Sequence, residues 1–347
     1  RSGHCRAPAA ESCPDDDKAR AASYSGQIMV TLAPRQEAFR KLIDEATHLP
    51  PVEATDAASY AAHAGALAEF VDARLGSESI RERLPMRVPL ELLQVNHRNH
   101  VGFMAAIFGF SAWSVMARTV VWVYRSYCAR GIPADYFPVE IDAFRDGLRS
   151  LLPGAAHALD PAYVFLRSHH ETFLHLSKHR DDTRRHSLSD QEERFVRALL
   201  RADTSDAIAI ARECVVNRTD VEHFFGGVVR PAMHEVGTLW EDGGISVAQE
   251  HVATAIANRA LAAVYENHVV TTPNKGRALV LCAAGELHEL GARMVADLLE
   301  MDGWDVLYAG AGVSLDALRA LLEPSPFLVA LSATMFEHLP RMRELIA

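Results

Sequence analysis

Two short stretches of this sequence combine residue types that do chemistry together. The first is Glu286-Leu287-His288-Glu289-Leu290-Gly291, which follows the apolar run Ala278-Leu279-Val280-Leu281-Cys282-Ala283. A run of that length ending in small residues predicts a buried strand, and Ala292 to Leu299 after the loop has helical period. Strand, loop and helix in that order place the loop at the carboxyl end of a parallel strand, where open α/β sheets bind ligands. A histidine there, with a carboxylate two residues before it, can present an oriented imidazole to a metal. The plainer alternative is a loop histidine near a helix N-terminus that holds no ligand. The second stretch is Trp240 followed, after nine intervening residues, by Glu250-His251. An indole at one helix end then faces a carboxylate and an imidazole on the first turns of the next helix. Alone, this pattern also fits a bundle plug and two surface residues.

A third, looser group lies nearer the N-terminus. Trp113, Arg118, Trp122, Arg125 and Tyr127 share one predicted helix, and His169, His170 and His175 share another. Aromatics with cations and imidazoles suit a flat, conjugated ligand carrying carboxylates. An aromatic core with solvated basic residues accounts for the same composition.

The elements that must position these residues follow from periodicity and caps. Residues 1–34, rich in Ala, Asp, Ser and Pro, read as a leader or linker. Residues 35–180 show helical period almost throughout, with no strand signal, and predict an all-α domain of about six helices. Its last helix is expected from Ala162 to Lys178, opened by Asp160-Pro161, and Ala54 to Leu75 is expected as one helix. A polar basic linker spans 179–186. Residues 187–270 predict a four-helix bundle, with capping boxes at Ser189-x-x-Glu192 and Ser246-x-x-Gln249 and a cap at Thr219. After a linker at 271–276, residues 276–347 predict part of a doubly wound α/β domain. Its further strands run from Trp304 to Ala309 and from Phe327 to Leu331, the latter leading into Ser332-Ala333-Thr334.

Composition bounds the function. The 347 residues carry a formal net charge of −10, which argues against a nucleic-acid-binding surface. No apolar run reaches the roughly 18 residues of a membrane span. Five scattered cysteines without CxxC spacing and no secretory signal point to the cytoplasm. No repeated strand–helix barrel and no cysteine cluster appears in the sequence; set beside the resemblance given next, this implies a sensor or regulatory module rather than an enzyme.

The Glu-x-His-x-x-Gly loop resembles the Asp-x-His-x-x-Gly loop of cobalamin-binding domains, with Glu286 where Asp is commoner. The resemblance implies that His288 is the lower axial cobalt ligand and that Gly291 completes the loop. It also implies that Ser332 and Thr334, as a Ser-x-Thr segment, lie near the corrinoid tail. Trp240 with Glu250-His251 is similar to the helical cap of light-sensing adenosylcobalamin proteins, which implies Trp240 packed near the adenosyl group. Two departures stand out: Glu241 occupies the place of a histidine in the transcriptional members, and Thr254 that of another. The stretch Tyr124 to Glu140, with the helix after it, looks like the globin-like sensor domains of bacterial signalling proteins. The whole order of domains resembles the photocobilins, which pair adenosylcobalamin with biliverdin. That implies a bilin pocket at Trp113, Arg118, Trp122, Arg125, Tyr127, His169 and His170, bound non-covalently rather than through Cys128. It also implies a homo-oligomer with light-dependent assembly, acting on an output domain or partner. A corrinoid-carrying subunit of a methyltransferase or mutase, and a haem-binding globin-like sensor, are the alternatives. A full doubly wound domain of this kind carries two more strands and a Gly-Gly segment beyond Ala347, so the C-terminal part is expected to be missing.

Overall fold

Most of the secondary structure follows from local signals. The computed structural model describes residues 34–77, 89–178, 188–269, 272–323 and 325–346. The predicted leader (apart from residue 34), the linker at 179–186 and part of the linker at 271–276 lie outside these residues.

The N-terminal region is all-α, as the periodicity predicts. Its helices are α1 (34–47), α2 (Ala54–Ala62), α3 (Ala64–Leu75), α4 (Leu90–Phe110), α5 (Trp113–Ala129), α6 (Tyr136–Leu151), α7 (Ala156–Ser168) and α8 (His170–Ser177). They close around an aromatic core in which Tyr60, Phe108, Tyr124, Tyr136, Phe144, Tyr163 and Phe173 have almost no exposed surface. Two predicted helices are each split in two. Ala54 to Leu75 breaks at His63, and the last helix breaks at His169, both with ψ near zero. Each break lets the following helix change direction while the core stays packed. Pro161 does not open the last helix. It lies inside α7, which starts at Ala156, so the helix accepts the loss of one backbone donor there.

The bundle comprises α9 (Asp190–Leu200), α10 (Thr204–Cys214), the short α11 (Asp220–His223), a π-helical turn (Phe224–Val229), α12 (Arg230–Glu241) and α13 (Val247–His268). Ser189 and Ser246 both form complete capping boxes. Thr219 does not cap its helix. Its hydroxyl instead bonds the Asn217 side chain. The π turn is unsignalled by period, and it carries Phe224, Phe225, Val228 and Val229 into the bundle core.

The α/β part holds β1 (Arg277–Cys282), α14 (Leu290–Met301), β2 (Asp305–Gly310), α15 (Leu315–Leu321), β3 (Leu328–Ser332), a 3-10 turn (Phe336–His338) and α16 (Leu339–Ile346). The strands are parallel in the order β2-β1-β3. β1 is central, and Ala278 to Cys282 are all buried, which explains its unbroken apolar run. The chain leaves β1 toward β2 on one side and returns to β3 on the other. The carboxyl ends of β1 and β3 therefore form a topological switch point. Leu290, Met294, Leu298 and Met301 of α14 pack against the bundle core, and Tyr265 of α13 donates to Glu300 at 2.7 Å. The bundle is thus seated on the helix that begins two residues after His288.

Candidate functional site

The loop after β1 is built to hold one imidazole. Ala283 N–H donates to the Ser332 carbonyl at 2.8 Å, so the loop starts clamped to the end of β3. Gly285 adopts φ +88, where a side chain would be strained. This turn folds Glu286 inward until it has no exposed surface, while Leu287 remains 80% exposed. The Glu286 carboxylate then collects donors. His288 N–H and His288 Nδ1 reach Oε1 at 2.8 and 2.6 Å, and Thr334 N–H, Met335 N–H and His338 Nδ1 reach Oε2 at 2.6, 3.3 and 3.1 Å. Burial alone pushes this carboxyl up. The hydrogen bonds from Thr334, His288 and His338 outweigh it and hold Glu286 down to about 2.

An ionised Glu286 fixes the tautomer of His288. Nδ1 carries the proton and donates it to the carboxylate, which leaves the Nε2 lone pair free. The His288 side chain is 59% exposed, so that nitrogen is accessible from outside the loop. A Cβ added at Gly291 would meet no atom within 4 Å beyond its chain neighbours and its own helix backbone, so this face of the loop is open. A single accessible imidazole of this kind can supply one ligand to a borderline transition metal. Ser332 lies opposite Cys282 in the sheet register and meets the loop through its carbonyl. Thr334 contributes its backbone N–H.

The second predicted constellation lies on α12 and α13 of the bundle. His251 Nδ1 donates to Glu250 at 2.7 Å, and the Thr254 hydroxyl donates to the other Glu250 oxygen at 2.9 Å. Thr254 thus orients the carboxylate from the next turn. Trp240, near the end of α12, packs toward the N-terminal region. Its ring lies 6.3 Å from Trp122, the Arg130 guanidinium sits 4.0 Å over it, and Arg130 donates to the Trp240 carbonyl at 2.8 Å. A cation over an indole face is favourable, and the added hydrogen bond fixes its geometry.

The N-terminal candidates occupy several environments. Trp113 is buried against Phe108. Arg118 lies over Phe39, and Arg125 donates to the Ser177 carbonyl. Tyr127 stacks on Phe137; burial raises its phenol, with Glu140 adding to the shift. His169 bonds Glu45 at 2.7 Å, and buried His170 bonds Tyr124 at 2.9 Å. A cavity of about 620 Å³, lined by Leu49, Arg149, His157, Pro161, Val164 and Phe165 among others, includes none of these candidates. The structure brings together Trp122 and Trp240 from two of the predicted groups, and gives each of the remaining N-terminal candidates its own partner.

Two features escaped sequence reasoning. One is His338, whose bond to Glu286 spans 52 residues; no spacing pattern links a lone histidine to a loop so far away. The other is a buried polar cluster in the N-terminal core, where His97 bonds Asp72 and Tyr136 and lies 3.8 Å from Glu140. Glu140 has only 6% exposure, and burial pushes its carboxyl up to about 8.

Residues 191–265 match the family profile described as B12 binding domain, and residues 276–347 match a second profile of the same description. The chain is 34% identical over 114 residues to the HTH-type transcriptional repressor CarA of Myxococcus xanthus, covering 33% of this chain and 38% of that protein. It is 31% identical over 109 residues to the repressor CarH of the same organism, covering 31% and 36%. The chain thus spans under two fifths of either relative. Among solved structures it is similar to the Methanosarcina barkeri monomethylamine corrinoid protein, at 16% identity and TM-score 0.40, over 45% of this chain and 76% of that one. Trp240, Glu250 and His251 fall in the first matched region, which is helical, and Glu286, His288, Gly291, Ser332 and Thr334 in the second, which is α/β, so both sequence-predicted groups of this half lie in regions that match a B12 binding domain.

Proposed function

We propose that the second half of this protein holds adenosylcobalamin between the bundle and the sheet, with His288 as lower axial ligand, and that the protein is a light sensor. One observation carries the reading: Glu286, caged by donors at the switch point, points a single-tautomer imidazole outward. Bound there, the cofactor would supply a cobalt–carbon bond that light can break.

The residues have separate tasks. Glu286 holds the His288 Nδ1 proton and makes Nε2 a stronger donor. Glu250, His251 and Thr254 form a linked polar edge on α13, and Trp240 offers indole surface that excludes water. Glu241 follows Trp240, so that position offers a carboxylate rather than a second imidazole. The light-sensing part rests on the resemblance of the Trp240-to-His251 spacing, supported by the similarity to the two repressors. A response requires that two arrangements of the bundle differ in affinity for the upper ligand. Light-dependent homo-oligomer assembly acting on an output domain or partner, cytoplasmic location and the absence of catalysis belong to the same reading. So does a globin-like N-terminal domain binding biliverdin through Trp113, Arg118, Trp122, Arg125, Tyr127, His169 and His170. Trp122 touches the cap and would pass a change across.

The test is an absorbance spectrum of the full chain loaded with adenosylcobalamin and biliverdin, before and after green light. The expected result is a cobalamin band that changes on illumination and a separate red band. His288→Ala should convert the dark spectrum to that of an unligated lower face. An unchanged axial-ligand spectrum in that variant would sink the ligand assignment, and a light-inert cobalamin band would sink the sensor.

A further inference from the structure

The 3-10 turn Phe336–His338 makes contacts in two parts of the molecule. Phe336 packs against the core of the N-terminal region, its ring 5.9 Å from Phe110 at the end of α4 and inclined at 71°. Two residues later, His338 donates to Glu286 at 3.1 Å, with its side chain only 15% exposed. The flanking residues strengthen the second contact. Thr334 and Met335 N–H grip the same carboxylate oxygen, and Arg341 donates to the Ala284 carbonyl at 3.2 Å. The segment from Thr334 to Arg341 therefore holds the loop 284–286 at four points, while its one large aromatic belongs to another domain. A single 3-10 turn is too short to absorb a displacement between its ends.

We propose that this turn ties the N-terminal helical domain to the axial-ligand loop, with His338 as a positioning residue for His288. The proposal rests on His288 being the cobalt ligand. A movement of α4 at Phe110 displaces Phe336, and with it the Oε2 side of Glu286. The Oε1 side then shifts against His288 Nδ1, changing the orientation and donor strength of Nε2. Coupling of this kind is reciprocal: ligation of His288 shifts the packing of Phe336 on Phe110 by the same free energy. The N-terminal region thus reaches the cofactor site by two routes, Arg130–Trp240 above and Phe336–His338 below.

The test uses the full chain with Phe336→Ala, Phe110→Ala, His338→Leu and His338→Asn. Phe110 is 41% exposed, so its variant removes the contact without disturbing buried structure. In the cofactor-free protein, hydrogen exchange in residues 284–290 should accelerate in Phe336→Ala and in Phe110→Ala, although neither side chain bonds that loop. With adenosylcobalamin in the dark, His338→Leu should weaken imidazole ligation by about 10-fold, read as the ratio of ligated to unligated absorbance. His338→Asn, which keeps a donor near Nδ1, should recover most of it. Exchange in 284–290 that stays at the wild-type rate in both phenylalanine variants would overturn the tie. Equal ligation in His338→Leu and wild type would overturn the positioning role. The exchange result needs no cofactor, so it stays readable if wild type fails to show imidazole ligation, the outcome that would instead refute the ligand assignment.

Discussion

Two buried glutamates in this molecule have opposite fates. Glu140, in the aromatic core of the N-terminal region, is pushed up to about 8 and is largely protonated at neutral pH. Glu286, with no exposed surface at all, is held down to about 2. Burial raises both. What differs is the donors. Glu286 receives three backbone N–H groups and two imidazoles, whereas the imidazole facing Glu140, His97 Nε2, lies 3.8 Å away, beyond hydrogen-bond distance. Low solvent access sets the cost of a charge, and preorganised donors decide whether the charge survives. The first arrangement suits an apolar interior, and the second suits a fixed negative charge aimed at an imidazole.

The largest expected effect breaks the second arrangement. Glu286→Ala leaves the Thr334, Met335 and His288 N–H groups without their acceptor, and each bond to a charged group is worth about 1.5–3 kcal/mol. Unfolding of the α/β region in urea should show a loss of about 3 kcal/mol or more, with the loop at 284–290 exchanging freely. Cobalamin affinity should fall by about 10- to 100-fold, as for other orienting partners of metal-bound histidines. A variant as stable as wild type would mean that the donors are satisfied elsewhere and that the comparison is wrong.

The next effect follows from the signs of the two shifts. Glu286 has a folded pKa below its ordinary value. Its contribution is fully present above about 4.5 and is lost as pH falls toward about 2. Glu140 has a folded pKa above its ordinary value, so between about 4.5 and about 8 the folded state holds a proton that the unfolded state has released. Stability of the N-terminal region should therefore decline as pH rises through that window, by no more than about 1.4 kcal/mol per pH unit, and level off above about 8. His97, Asp72 and Tyr136 adjoin the site and contribute their own titrations, so the decisive measurement is the difference between wild type and Glu140→Gln. The variant should lose most of the slope between pH 5 and 8 in urea unfolding. An unchanged slope would place the buried proton elsewhere.

The two halves of this picture were unequally legible in the sequence. The strand β1, the loop through His288 and the capping boxes at Ser189 and Ser246 rest on neighbours within a few residues, and pattern reads such neighbours well. The Glu286–His288 bond spans two residues and was legible for the same reason. The other half of the cage was not. His338 and the Thr334 N–H reach Glu286 across 52 and 48 residues, and Arg130 reaches Trp240 across 110. Such contacts depend on how finished elements dock, which no local period encodes. The breaks at His63 and His169 and the π turn at Phe224–Val229 were hidden likewise. In each, tertiary packing overrode a helical pattern that read as continuous. The separate partners of the bilin candidates were hidden too, because period assigns a residue to a stripe and not to a neighbour.

The smallest expected effect sharpens the comparison by separating donors from domain. Asp297 lies in the same α/β region as Glu286 and is only 5% exposed. It sits on α14 beneath the bundle, and its Oδ2 has no hydrogen-bond partner among the described residues. Burial pushes it up to about 6; Glu300 adds to the shift and Arg293 opposes it. If the α/β region as a whole favoured negative charge, Asp297 would be lowered with Glu286. It is raised with Glu140 because, like Glu140, it lacks a donor cage. Its folded pKa exceeds the ordinary value, so its contribution declines as pH rises from about 4 to about 6 and is constant above. Asp297→Asn should therefore match wild type within about 0.5 kcal/mol at pH 4 and gain about 1 kcal/mol over it at pH 7, read by urea unfolding at both values. A variant that is less stable at pH 7 than at pH 4 relative to wild type would show an ionised, partnered Asp297. The rule drawn from the two glutamates would then fail within the domain that shows it best.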